Sequence, residues 1–293
     1  MIRSPDASER TPKAMPIRMR TLLVPLSGAA LYYAVILLVT SMASLILGED
    51  SVRYQNTVRA VTIILLLAAI FLWLRIYRIF EEATIMQEAV SVGKILSVGI
   101  IALGLLGLTM LYFYLVEKIL SSIPAVRESV EEYKQWVEAS PESLLEKIMY
   151  AVTLTLLVPI AEELIFRGII LQEFLSTMKP VIAVLLASAF FGLIHLQPIQ
   201  IIYAFFCGAV ISTVYVLSRS IYLSIILHGI YNFFGSVLPT IAPTGRTVTN
   251  ILTYVYLGSI AFSVIAMLYL KRSKRENSWT EVSDASSYDG KNS

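Results

Sequence analysis

The chain has 293 residues, of which 57% are hydrophobic and only 15% charged, and its mean hydropathy is +0.73. This composition excludes an ordinary soluble domain, and the net charge of +2 gives no indication of a nucleic-acid partner. The single cysteine, Cys207, excludes an internal disulfide. We therefore predict an all-α membrane protein, a polytopic helical bundle that lies in the lipid bilayer.

Apolar stretches recur along the chain at lengths that suit a membrane crossing. At roughly 20 residues per span, they predict about eight transmembrane helices. The predicted spans cover residues 21–47, 60–74, 95–116, 143–171, 181–196, 199–217, 221–238 and 250–270. The first run is too long for a signal-peptide core and has no Ala-x-Ala cleavage site, so we expect it to stay as an anchor.

Basic residues between the spans predict the orientation. With the N-terminus inside, 15 Lys and Arg residues fall in inside segments and 7 in outside segments, Arg59 among the latter. This bias predicts an integral plasma-membrane protein with both termini in the cytoplasm. We expect residues 1–20 to form a basic cytoplasmic tail that contacts anionic lipid headgroups. Residues 271–293 are rich in Ser, Asp and Lys, which predicts a disordered cytoplasmic tail.

The segments between the tails divide into three predicted regions. Residues 21–120 are predicted to form scaffold helices without a buried polar cluster. Residues 121–147 are predicted to form an extracytoplasmic loop, and residues 148–270 a catalytic membrane domain. Apolar residues in the loop recur at helical spacing and predict an amphipathic helix at the outer interface. These residues are Val126, Val130, Tyr133 and Val137, with Trp136 beside them. Ser140-Pro141-Glu142 then predicts the start of the next helix.

The ionisable residues of the second half lie in apolar sequence, where charges are costly and usually functional. Three pairs are four residues apart and so share one helix face. They are Glu163 with Arg167, Phe191 with His195, and His228 with Asn232. The spacing predicts an ion pair that keeps Glu163 structural, while Glu162, about 100° further round the helix, faces the interior of the bundle. Phe191 is expected to pack rather than react.

Pro159 stands three residues before Glu162 and interrupts this helix. A proline has no backbone donor and clashes with the carbonyl four residues earlier, here that of Thr155. We expect the resulting kink to leave room for water beside the glutamates. The predicted span edges place Glu162, His195 and His228 at depths that differ by up to roughly 12 Å, at 1.5 Å per residue. A single site requires the three side chains to lie at one depth, so the predicted span boundaries disagree with the predicted site.

Several functions are compatible with these residues. A carboxylate beside an imidazole can activate water, and His228 with Asn232 could donate hydrogen bonds to the oxyanion of a cleaved peptide bond. Glu162, His195 and His228 could instead be three zinc ligands with a fourth position open to water. The same residues could serve as interhelical contacts in a membrane scaffold, or as the relay of a proton-coupled carrier.

Three motifs resemble those of the CPBP intramembrane proteases, the group that includes the CAAX prenyl endopeptidases. EELIFR at 162–167 is similar to EExxxR, FGLIH at 191–195 to FxxxH, and HGIYN at 228–232 to HxxxN. The resemblance covers about residues 145–240. It implies an intramembrane endopeptidase that acts on a membrane-associated protein or peptide, and the group also includes bacteriocin-immunity proteins.

The same resemblance assigns roles by motif position. It implies that Glu162 and His195 activate water, and that His228 and Asn232 form the oxyanion site. Glu163 and Arg167 would support the fold. No cofactor is implied, and Zn²⁺ remains the alternative.

Overall fold

The computed structural model describes residues 17–48, 50–77, 86–120, 122–137, 141, 143–242 and 245–289. This part of the chain is helical, with no β-strand beyond one isolated bridge between Gln87 and Ser220. Six of its helices are long and apolar enough to cross a membrane. The chain is therefore an all-α, multi-pass integral membrane protein, as the composition predicts.

Thirteen α-helices and four π-helical segments make up the described part of the chain. The α-helices are α1 (Ile17–Leu47), α2 (Asp50–Arg53), α3 (Gln55–Tyr77), α4 (Val92–Leu115), α5 (Pro124–Val137), α6 (Leu144–Val152), α7 (Val158–Glu163), α8 (Gln172–Thr177), α9 (Pro180–Leu193), α10 (Pro198–Ser218), α11 (Ile221–Asn232), α12 (Leu238–Ile241) and α13 (Arg246–Asp289). The π-helical segments are Val116–Leu120, Thr153–Leu157, Leu164–Leu171 and Phe233–Val237.

Helices α6, α7 and α8 follow one another without a break through two π-helical segments. Together they form one long helix, residues 144–177, which we call the site helix. Membrane helices tolerate an internal proline such as Pro159 because local π adjustments and neighbouring helices satisfy the freed backbone groups. π-Helical turns are also frequent at functional sites.

Each predicted span contains helix, but the count of eight is only approximate. The site helix is continuous but is not among the six candidate spans, and α9 is shorter than those six helices. Helix α3 begins at Gln55 rather than at residue 60, so Arg59 belongs to a candidate span and not to an outside loop. The last helix continues to Asp289, through most of the tail predicted to be disordered, because an established helix propagates easily into polar sequence. Residues 1–16 of the predicted N-terminal tail lie outside the described residues.

The amphipathic helix predicted in the loop exists as α5. Its apolar residues Val126, Val130 and Tyr133 pack against Val116 and Ile199. The side chains of the predicted neighbours at 136 and 137 lie outside the described residues. The next helix begins at Leu144, and its N-cap is the Ser143 hydroxyl, which accepts a hydrogen bond from the Glu146 amide at 3.2 Å. The predicted cap at residue 140 also lies outside the described residues.

Glycines allow the helices around the site to approach closely, as is common where membrane helices pack. A Cβ atom on Gly192 of α9 would lie 2.7 Å from the Ile201 carbonyl oxygen of α10. A Cβ on Gly208 of α10 would lie 3.0 Å from the Phe191 ring. These two contacts hold α9 and α10 together as a tight hairpin.

Helix α3, in the region predicted as scaffold, forms buried hydrogen bonds with the site helix. Glu146 of the site helix is buried and accepts hydrogen bonds from the Asn56 amide at 2.8 Å and from the Thr57 amide at 3.3 Å. A carboxylate in this position satisfies free donors at the N-terminus of α3 and complements the helix dipole. Asn56 and Thr62 are themselves buried. Helix α3 therefore contributes buried polar groups to a cluster that Glu146 of the site helix completes, and the sequence did not predict this contact.

Candidate active site

Pro159 distorts the site helix one turn before the two glutamates. In the π-helical segment before it, the Val158 amide donates to the Thr153 carbonyl, five residues earlier. The next amide in this register would be that of Pro159, which has no N–H, so the Leu154 carbonyl loses its helical donor. The Asn232 side-chain Nδ2 donates to this carbonyl at 2.9 Å. The sequence predicted the freed carbonyl at Thr155, one residue away.

Glu163 lies at the centre of a fully buried network. Its Oε1 accepts a hydrogen bond from Arg167 Nη1 at 2.8 Å, as the four-residue spacing predicts. Arg167 Nη2 also donates to the Gly208 carbonyl at 3.1 Å. Both side chains have a relative exposure of 0%. Because a buried charge is tolerated only when it is paired, each of these two groups requires the other.

His228 contacts both glutamates. Its Nδ1 lies 2.8 Å from Glu163 Oε1, and its Nε2 lies 3.9 Å from Glu162 Oε2. A carboxylate accepts hydrogen bonds, so Nδ1 carries the hydrogen of this contact. In neutral His228 the Nε2 atom would then be an acceptor, and it can donate only when the ring is doubly protonated.

Glu162 differs from Glu163 although the two are adjacent. Its Oε1 lies 3.4 Å from the hydroxyl of Tyr32, a long hydrogen bond from α1. Its side chain remains 6% exposed and lines a cavity of about 1530 Å³. Glu162 is thus the carboxylate of the pair that reaches open space.

His195 is fixed by its own helix and by Phe191. Its Nδ1 lies 2.8 Å from the Phe191 carbonyl oxygen, which can only accept, so Nδ1 is the donor and Nε2 is left as an acceptor in the neutral ring. The Phe191 ring packs edge-on against His195 and His228, with centroids 5.1 and 5.9 Å away. The Arg167 guanidinium lies 4.6 Å from the centre of the same ring. Phe191 therefore sets the spacing of both imidazoles.

One cavity joins all four residues that the sequence proposed as catalytic. Glu162, His195, His228 and Asn232 line it, whereas the pair Glu163 and Arg167 lies behind the wall. Helix α9 is short and ends at Leu193, so His195 lies in the loop that follows the helix and not, as the sequence predicted, inside a span.

Tyr32 and Arg59 are two of the cavity residues that no sequence pattern predicted. Both belong to helices of the predicted scaffold region, and both line the same cavity as Glu162. No spacing pattern marks Tyr32, since a tyrosine in an apolar span is ordinary. The position of Arg59 next to the predicted start of a span was the one available signal.

The donors available for a metal are few. Within the residues that the structure describes, no three His, Cys, Asp or Glu side chains are grouped closely enough to hold a metal ion. The zinc ligands considered from the sequence, Glu162, His195 and His228, therefore share a cavity without forming a preassembled three-ligand site.

The family model of type II CAAX prenyl endopeptidases, Rce1-like, matches residues 144–234. This match agrees with the resemblance that the three motifs indicate, over that segment of the chain. The matched segment includes the site helix and α9 to α11, and so every residue of the three motifs. No curated protein and no solved structure matches the chain. The family and the fold together support an intramembrane protease, and hence a membrane-associated substrate.

Proposed function

We propose that the chain is an intramembrane endopeptidase of the glutamic type, which hydrolyses a peptide bond of a membrane-associated protein or peptide. The observation that carries the proposal is the common cavity of Glu162, His195, His228 and Asn232. Behind it, the pair Glu163–Arg167 holds His228 in place through Glu163 Oε1.

Glu162 activates the attacking water in this mechanism. The distance of 3.9 Å between Glu162 Oε2 and His228 Nε2 is too long for a direct hydrogen bond. A water about 2.8 Å from each atom fits between them and is polarised by the carboxylate. His195, whose Nε2 is free to accept, assists in taking up the proton of that water.

His228 and Asn232 stabilise the oxyanion that forms when water attacks the carbonyl carbon. In this role His228 donates through Nε2, so its ring carries a hydrogen on both nitrogens during the reaction. In that state Glu162 and Glu163 balance the charges of Arg167 and His228. Asn232 uses one Nδ2 hydrogen for the Leu154 carbonyl and keeps the second for the substrate.

Cleavage of a peptide by purified protein, with Glu162→Gln beside Glu163→Gln, tests this proposal. We expect Glu162→Gln to keep its thermal stability and lose at least about 10²-fold in turnover, since the general base is gone. Glu163→Gln leaves the Arg167 charge without its partner, which costs about 3–5 kcal/mol of stability. The two adjacent, chemically identical substitutions are each other's control.

Near-normal turnover in Glu162→Gln would overturn the assignment of the base. A carrier, a scaffold or an immunity protein would show no cleavage by wild type on any peptide, and a scaffold would also tolerate Glu162→Gln.

A further inference from the structure

Helix α1 carries two adjacent tyrosines, Tyr32 and Tyr33, that line the cavity. This helix lies outside residues 144–234, the segment that the family model matches. Its apolar residues nevertheless pack into the core around the site helix, and a Cβ on Gly28 would lie 3.8 Å from the Ile165 side chain. Both phenols therefore extend from a helix that is packed directly against the site helix.

The Tyr32 hydroxyl contacts the proposed base. It donates to Glu162 Oε1 at 3.4 Å, which is the oxygen that does not approach His228. The other oxygen, Oε2, lies 3.9 Å from His228 Nε2, on either side of the position proposed for the attacking water. A donor on one oxygen restrains rotation of the carboxylate, so the lone pairs of Oε2 stay directed at that water.

The Tyr33 hydroxyl holds the loop that carries His195. It donates to the Ile194 carbonyl oxygen at 2.5 Å. Ile194 follows the last residue of α9, and a carbonyl at the end of a helix has no partner within that helix. The chain then turns sharply at Leu196, whose φ of +60° is unfavourable for a leucine. The bond from Tyr33 therefore fixes the backbone directly before His195.

The two tyrosines reach two different elements from one helix. Consecutive residues of an α-helix are about 1.5 Å apart along the axis and about 100° apart around it. The rings of Tyr32 and Tyr33 contact each other edge-on, with centroids 5.6 Å apart. One phenol contacts Glu162 of the site helix, and the other contacts the loop before His195. Helix α1 thus connects the two residues that are proposed to activate water.

We propose that Tyr32 and Tyr33 form a clamp that holds Glu162 and His195 at a fixed separation, so that both can act on one water. The two tyrosines are positioning residues, since they act through Glu162 and His195. The catalytic unit then extends beyond the matched segment and includes α1, which the sequence assigned to the scaffold. This inference rests on the proposed endopeptidase function.

The test measures peptide cleavage by full-length protein in detergent for wild type, Tyr32→Phe, Tyr33→Phe and the double variant. Phenylalanine keeps the ring and removes only the hydroxyl. We expect each single substitution to lower kcat about 10-fold, because a small misplacement of a catalytic group slows the reaction, and to leave KM within about twofold of wild type. Loss of either hydroxyl already releases the pair, so the double variant should lose little more than a single variant.

Stability and a matched tyrosine separate positioning from packing. Water in the cavity can replace either hydroxyl, so we expect the melting temperatures of the variants to stay within about 3 °C of wild type. Tyr203→Phe is the matched control, because Tyr203 also lines the cavity but its hydroxyl bonds to that of Tyr133 at 2.9 Å. This control should keep kcat within about twofold of wild type.

Each possible error gives a different result. Unchanged kcat in either single variant overturns the clamp and leaves the protease assignment intact, whereas no cleavage by wild type contradicts the proposed function itself. Losses that multiply in the double variant indicate two independent contacts and also overturn the clamp. A loss of kcat that Tyr203→Phe reproduces, or that accompanies a fall in melting temperature, indicates general packing and overturns it as well.

Discussion

The hydrogen bond from Asn232 to the Leu154 carbonyl gives this amide a structural role beside its proposed catalytic one, and the two can be separated. Asn232→Ala removes the donor that replaces the missing N–H of Pro159. An unsatisfied carbonyl in a dry interior costs about 1–3 kcal/mol. For a chain of this size we expect the melting temperature to fall by about 2–10 °C. If Asn232 also contacts the oxyanion, turnover falls by about 10²–10³ with little change in KM.

A second substitution restores the backbone without the amide. Pro159→Ala supplies an N–H that can donate to the Leu154 carbonyl, so the double variant Pro159→Ala/Asn232→Ala should regain most of the lost stability. Its turnover, compared with that of Pro159→Ala alone, should remain about 10²–10³ lower. Thermal unfolding and peptide cleavage, measured on wild type and the three variants, form a double-mutant cycle for each property.

The cycle gives a clear refutation. If turnover returns together with stability in the double variant, Asn232 acts only by holding the site helix, and the oxyanion role is lost. If Asn232→Ala is as stable as wild type, the hydrogen bond to Leu154 carries no stabilisation, and the argument from Pro159 fails.

Three further predictions concern helix packing, metal and orientation. Gly229→Ala places a Cβ 2.6 Å from the Thr155 carbonyl oxygen and should lower the free energy of unfolding by about 1–3 kcal/mol. Gly258→Ala, whose Cβ would have no atom within 4 Å, should instead stabilise the protein. Equal melting temperatures of the two variants would contradict this. His228→Ala and Asn232→Ala should lose similar turnover, with no zinc in wild type by elemental analysis, and stoichiometric zinc lost only from His228→Ala would establish the zinc mechanism. A cysteine at exposed Glu132 should be labelled from outside in intact cells, and labelling only after permeabilisation would reverse the orientation.

The four-residue spacings carried most of what the sequence could predict about the site. They place Glu163 against Arg167 and orient Glu162 differently, and both features are present in the structure. Local spacing cannot predict contacts between helices, however. The contact of His228 with Glu163 joins residues 65 positions apart, and its choice of Glu163 over Glu162 depends on how α11 packs on the site helix.

The errors at the span edges share a physical cause. Hydropathy averages over a window, so it assigned Arg59, near the end of a helix, to a loop although this residue lies in the candidate span Gln55–Leu72. Glu146, at the edge of a predicted span, is held by backbone amides of the neighbouring helix α3. A composition-based boundary therefore fails where a polar side chain finds its partner on another helix.

The different fates of Glu162 and Glu163 follow from what reaches each of them. Glu163 receives Arg167 from its own helix and His228 from α11, so its charge is compensated and it lies at 0% exposure. Among the described residues, the polar groups that approach Glu162 are the Tyr32 hydroxyl at 3.4 Å and His228 Nε2 at 3.9 Å. Glu163 Oε2 also has no hydrogen-bond partner among the described residues, but Glu163 does not line the cavity. Glu162 does, so it is the carboxylate that a proton from a water in the cavity can reach. The buried pair of Glu163 and Arg167 thus positions His228, whereas Glu162, which lines the cavity, is the carboxylate placed to react with water.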